Sequence, residues 1–129
     1  MIVVDTSAWI EFLRGTQSEI DHRLKELIDS RADLALTEVI VMELLGGAAG
    51  SRAVLRSHLL AYPVLPLLGL QDYEEAASIY RLCRRAGETL KRGYTDCLIA
   101  IPAIREGAQV LHRDADFETI SRHSDLKLI

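Results

Sequence analysis

The sequence predicts an α/β fold in three layers, a mainly parallel central sheet of four to five strands flanked by helices. Two observations carry this. Short apolar runs with no solvated face recur along the chain, as buried parallel strands require. Pairs of helical patterns separate most of them, in the order β-α-α-β-α-α-β-α-α-β-α-β. A third observation concerns chemistry: carboxylates stand just past strand ends, the sheet edge at which open α/β folds bind ligands.

The first strand is Ile2-Val3-Val4, ended by Asp5. Thr6 or Ser7 then offers an N-cap for a helix with Trp9, Phe12 and Leu13 on its apolar face. A charge at the end of a buried strand is costly unless something cationic meets it. Asp5 is therefore either a ligand-facing acid or the helix cap itself, and this stretch alone leaves both open. After the Arg14-Gly15 stop, Ile20, Leu24, Leu27 and Ile28 recur at helical spacing up to Ser30-Arg31. Leu34-Ala35-Leu36 reads as the second strand, with Thr37 capping a helix from about Glu38 to Leu45. That helix is apolar almost all round, which predicts burial and turns Glu43 inward or into a cleft; Gly46-Gly47 ends it. Ser51 to Tyr62 is a further helix with Val54, Leu55, Leu59 and Leu60 as its apolar side.

Pro63 stops that helix, and Val64-Leu65-Pro66-Leu67 is strand-like but interrupted by proline, which fits an edge strand or a strand end. Asp72 is expected to cap a long helix to Ala86, with Gly87 following. Tyr73, Ala76, Ala77, Tyr80 and Cys83 share one of its faces, while Arg81, Arg84 and Arg85 share another. Together with Lys91 and Arg92 in the next loop, these cations are either a solvated surface or a phosphate-contacting patch. Thr95 opens the next helix and puts Asp96 in its first turn, where a carboxylate suits the macrodipole. Pro102 predicts a kink there. Gly107 closes the helix, Ala108 to His112 is the next strand, and Arg113-Asp114-Ala115-Asp116-Phe117 is an acidic cluster past its end. A short helix through Ile120 and a strand near Leu126-Lys127-Leu128 complete the order.

At 129 residues, the chain is expected to form a single domain, residues 1–129, with a sizeable core. Aromatic residues make up 5%, too few for a base-stacking platform of the single-strand-binding kind. No apolar run approaches the ~20 residues of a membrane span, and no basic region precedes the apolar start, so neither a membrane segment nor a signal peptide is expected. Cys83 and Cys97 form no metal-type pair and fit a reducing, cytoplasmic setting. The net charge of −4 argues against a nonspecific nucleic-acid binder unless the acids gather around a cation.

In a parallel sheet the strand ends lie side by side, so Asp5 is placed to converge with Asp114 and Asp116; Asp96 lies at the N-terminus of the helix feeding the later strand, and Glu43 projects from a buried helix. Four or five carboxylates in one pocket need a counter-charge. Oxygen-only donors select hard cations such as Mg²⁺ or Mn²⁺. Two such ions about 4 Å apart would activate water and stabilise a leaving oxygen in phosphodiester hydrolysis.

Four blocks in register resemble the PIN-domain ribonucleases, and among them the VapC-type toxins of bacterial toxin–antitoxin pairs. They are Val4-Asp5-Thr6-Ser7-Ala8-Trp9, Val41-Met42-Glu43-Leu44, Tyr94-Thr95-Asp96-Cys97-Leu98-Ile99-Ala100, and His112-Arg113-Asp114-Ala115-Asp116-Phe117. They run through nearly the whole chain in the family's order. The resemblance implies a PIN-like fold and metal-assisted hydrolysis of RNA, often a structured RNA such as tRNA. It implies Asp5 and Asp96 as principal metal ligands, with Glu43 holding a second ion or orienting water and Asp114 and Asp116 completing the site. Thr6 resembles the hydroxyl residue that positions the first Asp or contacts substrate. Mg²⁺, with Mn²⁺ as substitute, is the implied cofactor. A cognate antitoxin that blocks the site in a hetero-oligomer is the implied partner, and a homodimer would lengthen a basic groove of Arg81, Arg84, Arg85, Lys91 and Arg92. Pro102 departs from the family's uninterrupted helix.

Other classes fail on named positions. A haloacid-dehalogenase-type phosphatase needs an acid where Ser7 stands, a receiver domain needs an Asp near residue 55, and a Rossmann domain needs glycines in place of Asp5-Thr6-Ser7-Ala8. His22, His58, His112 and His123 are scattered, with no nucleophile beside them. The remaining alternative is a noncatalytic PIN-like module that binds RNA or protein.

Overall fold

A computed structural model describes residues 1–129 and carries the elements in the expected order. They are β1 (Ile2–Val4), α1 (Thr6–Arg14), α2 (Glu19–Asp29), β2 (Leu34–Thr37), α3 (Glu38–Gly47), α4 (Arg52–Leu59), β3 (Val64–Leu65), α5 (Leu70–Arg85), α6 (Tyr94–Arg105), β4 (Gln109–Leu111), α7 (Ala115–Arg122) and β5 (Lys127–Leu128). The five strands form one sheet in the order β3-β2-β1-β4-β5, and every neighbouring pair is parallel. No helix is long and apolar enough to cross a membrane.

The central strands are apolar because both faces are covered. Val3 and Val4 of β1, Leu36 of β2, and Val110 and Leu111 of β4 are fully buried, with Ile40, Ile99, Phe117 and Ile120 packed from the helices. On one side α5, α6 and α7 pack together, while α1 packs on α2 and α3. The chain steps outward from β1 to β2 and β3, then returns past them to β4 on the other flank of β1. That reversal opens a crevice at the C-terminal ends of β1 and β4. There the Asp5 N–H donates to the Leu111 carbonyl at 2.9 Å, holding the two strand ends together.

Several local expectations change. Asp5 itself caps α1, with extended backbone (φ −67°, ψ 157°) and a carboxylate that accepts from the Ser7 N–H. Helix α3 includes Gly46 and Gly47 and is not buried all round: Met42 is 63% exposed and points to solvent. Helix α4 is shorter than expected, capped by Ser51, and of its apolar side only Leu59 is fully buried while Val54 and Leu60 are exposed. The buried face of α5 runs through Asp72, Ala76, Ile79 and Cys83, leaving Tyr73 exposed. Helix α6 begins at Tyr94, one residue early, behind Gly93 at φ 61°, ψ −124°, a left-handed conformation that favours glycine. It runs to Arg105 with Pro102 buried inside it.

Asp72 is not the N-cap of α5, which is Gly69; it sits in the first turn and reaches back. Its Oδ2 accepts from the Leu68 N–H at 2.7 Å, and its Oδ1 pairs with the Arg105 guanidinium, whose other arm donates to the Pro66 carbonyl at 3.3 Å. One carboxylate thus ties the β3–α5 loop to the end of α6. Burial alone would raise the Asp72 carboxyl, but Arg105 and the Leu68 amide outweigh it and hold the group below its ordinary value. A depressed carboxyl stabilises the fold fully above the unfolded value of about 3.9, and that contribution is lost as pH falls through the folded value. Asp72→Asn is therefore expected to cost about 1–3 kcal/mol at pH 7. Urea unfolding between pH 7 and pH 3 should show the variant and the parent converge at the acid end.

Candidate functional site

Two strand ends and three helices bring the acids together. Asp5 follows β1, Asp114 follows β4 as the N-cap of α7, and Asp116 lies in the first turn of α7. Asp96 stands in the first turn of α6, and Glu43 comes from the middle of α3, which packs against α6. Oxygens of Asp96, Asp114 and Asp116 lie within 4.8 Å of one another. Asp5 and Asp96 are wholly buried, and Asp116 nearly so.

The five carboxylates are held differently. Asp5 splits its oxygens. Oδ2 accepts from the Ser7 N–H at 2.9 Å and the Ser7 hydroxyl at 2.6 Å, while Oδ1 is buried with no partner. One oxygen of this residue caps the helix, and the other is left buried and free to accept. Asp114 does the same: Oδ1 accepts from the Asp116 N–H at 3.0 Å, and Oδ2 is unpartnered. Asp116 has both oxygens engaged, accepting from the Lys91 N–H at 3.0 Å and the Arg92 N–H at 2.8 Å. It clasps the turn that leads into α6. Asp96 has no hydrogen-bond partner on either oxygen. Glu43 accepts from the Thr6 hydroxyl at 2.8 Å through Oε1 and pairs with Arg92 through Oε2.

The hydroxyls exchange the expected duties. Ser7, not Thr6, holds Asp5, and Ser7 Oγ also accepts from the Arg113 N–H at 2.8 Å, joining the β1 and β4 ends a second time. Thr6 serves Glu43 instead. In sequence Ser7 reads only as a possible N-cap; with Asp5 as the cap, its place as second residue of the helix is the signal for its role on Asp5. The basic residues divide as well. Arg81, Arg84, Arg85 and Lys91 are exposed, and the Arg84 guanidinium lies 5.9 Å from the Tyr80 ring centre. Arg92 leaves that group, because its guanidinium turns into the acids: beyond Glu43, its Nε is 3.9 Å from Asp96 Oδ1 and its Nη1 is 4.0 Å from Asp114 Oδ2.

The electrostatics follow from burial. Burial raises the Asp5 carboxyl, against the Ser7 hydrogen bonds and the Arg92 charge. Asp96 is pushed up to about 9, first by burial, then by the Asp114 carboxylate beside it and by Asp5, with Arg92 opposing. Unpartnered buried oxygens on Asp5, Asp96 and Asp114 are the atoms a cation would satisfy, and an all-oxygen donor set fits a hard divalent ion. The residues therefore fit a metal.

Comparison with known proteins gives matches in sequence and in fold. A family model described as PIN domain matches residues 2–123. Ribonuclease VapC11 of Mycobacterium tuberculosis is 43% identical over 130 residues, covering 98% of this chain and 96% of that protein. Among solved structures, VapBC2 from Rickettsia felis, bound to a DNA fragment from its promoter, superposes with a TM-score of 0.73 at 18% identity, covering 100% of this chain and 98% of that one. VapC20 of Mycobacterium tuberculosis, a toxin that cleaves the sarcin-ricin loop, gives a TM-score of 0.67 at 19% identity, covering 98% and 99%.

Two outcomes test the site's construction. In metal-free protein, Asp96 keeps a proton that the unfolded chain releases above about pH 3.9, so it lowers stability progressively as pH rises from there towards its folded value. Asp96→Asn should remove that slope: in EDTA its urea midpoint should exceed the parent's, by a margin that widens from pH 5 to pH 8. Asp116→Ala should cost about 2–3 kcal/mol, from two hydrogen bonds to a charged acceptor. Hydrogen exchange at the Lys91 and Arg92 amides should accelerate in that variant.

Proposed function

Because the chain belongs to the PIN-domain family, among its VapC ribonucleases, we propose that it is a metal-dependent endoribonuclease, the toxin of a toxin–antitoxin pair. It hydrolyses phosphodiester bonds in a structured RNA such as tRNA, with residues 1–129 acting as one PIN domain in the cytoplasm. The observation that carries this reading is the set of unpartnered buried oxygens on Asp5, Asp96 and Asp114 in one pocket at the sheet's C-terminal edge.

In this reading Asp5, Asp96 and Asp114 hold Mg²⁺, or Mn²⁺ in its place. A bound divalent ion supplies Lewis acidity, lowering the proton affinity of water and steadying charge on the departing oxygen. The protein's own part is placement. Ser7 fixes the Asp5 carboxylate so that its free oxygen faces the pocket. Thr6 fixes Glu43 through Oε1, and Oε2, which pairs with Arg92, would orient water or hold a second ion. Asp116 fixes the turn at Lys91 and Arg92 and so completes the wall beside Asp96; its oxygens keep lone pairs with which to join the metal set. Exposed Arg81, Arg84, Arg85 and Lys91 contact RNA phosphates, positioning without reading sequence. The partners are RNA, a cognate antitoxin that covers the pocket in a hetero-oligomer, and a second copy of the chain in a homodimer.

The test is RNA cleavage by antitoxin-free protein in Mg²⁺ or Mn²⁺, beside EDTA and the Asp5→Asn and Asp96→Asn variants. Cutting should require the metal and fall at least about a hundredfold in both variants. RNA binding without metal-dependent cutting would establish the noncatalytic module instead.

A further inference from the structure

The acidic pocket already contains a cation. Arg92 pairs with Glu43, and its nitrogens stand 3.9 Å from Asp96 Oδ1 and 4.0 Å from Asp114 Oδ2. Those two oxygens are among the buried atoms without a hydrogen-bond partner. The guanidinium therefore offsets charge on Glu43 and Asp114 and faces Asp96 across a gap too long for a hydrogen bond, leaving the bonding of the Asp96 and Asp114 oxygens unmet. It is an incomplete counter-ion.

Its attachment is two-part. The Arg92 N–H is fixed to Asp116 Oδ2 at 2.8 Å, and the neighbouring Lys91 N–H to Oδ1. The side chain, by contrast, is 37% exposed and crosses from solvent into the pocket on a flexible stem. It can leave without unmaking the turn. A divalent ion would need the same oxygens, and like charges that contend for one set of acids repel one another strongly in a buried site.

We infer that the Arg92 guanidinium is the resident counter-ion of the cation-free pocket and is displaced to solvent when a divalent ion loads. The inference rests on the reading of these acids as a metal site. Its physical consequence is that metal affinity is set partly by the work of moving Arg92. When a binding-competent state is populated only part of the time, apparent affinity falls by that fraction, so a pocket filled nine-tenths of the time by Arg92 binds about tenfold more weakly.

The experiment is calorimetric titration of MnCl₂ into the full, antitoxin-free chain and its Arg92→Gln and Arg92→Lys variants. Arg92→Gln removes the charge but keeps the backbone N–H that Asp116 holds. It should bind Mn²⁺ about tenfold more tightly than the parent, while Arg92→Lys stays near the parent. In the wild-type chain, which needs no variant to fold, the Arg92 side-chain Nε resonance should move towards its solvent-exposed position as Mg²⁺ is added. Equal or weaker Mn²⁺ binding by Arg92→Gln, or an Arg92 resonance unmoved at saturating Mg²⁺, would overturn this inference alone. Absence of Mn²⁺ binding in all three proteins would overturn the metal reading and the inference with it.

Discussion

Charge balance at one edge of the sheet is the constraint on which this structure depends. Five carboxylates converge there, two of them wholly buried. Bringing them together without compensation would cost far more than a small domain has to spare. The fold answers acid by acid. Asp116 is absorbed by two backbone N–H groups, Asp5 and Asp114 are half absorbed by helix caps, and Glu43 is met by a hydroxyl and a guanidinium. Asp96 alone has no hydrogen bond, and its raised carboxyl records the cost.

The sheet makes this concentration possible. A parallel order that reverses at β1 delivers the ends of β1 and β4 to the same crevice, and the Asp5 and Arg113 N–H bonds lock them there. Helix N-termini add partial positive charge from their free amides, which favours acids at the start of α1, α6 and α7. The same amides do the capping. Architecture and electrostatics are therefore one solution, in which the caps that start the helices also aim the remaining oxygens.

Most of the fold was legible because buried strands and amphipathic helices alternate in a pattern that few topologies satisfy. Val3-Val4, Leu34 to Leu36 and Val110-Leu111 announce themselves by having no polar face. The acids were legible by their place after strands or in first turns. Details that depend on a partner's direction were not. Thr6 and Ser7 are adjacent hydroxyls of equal chemistry, and only the packing of α3 assigns one to Glu43 and the other to Asp5. The apolar run of α3 predicts burial for Met42, which is exposed, because periodicity locates a face but not how far the neighbouring helix extends over it. Arg92 stood in a run of cations, and nothing local distinguishes a residue that turns inward from those that face water.

The unequal holding of the acids also bears on how such a domain decays. A chain released from its chemistry would still be obliged to keep Asp5 and Asp116, because one starts α1 and the other clasps the turn before α6. Asp96 has no comparable employment, since neither of its oxygens supports any part of the backbone. Drift would therefore erase it first, and an asparagine or a small apolar residue there would relieve the fold. The informative letter in this sequence is thus not the aspartate that opens it but the one at position 96, whose presence the architecture does not need.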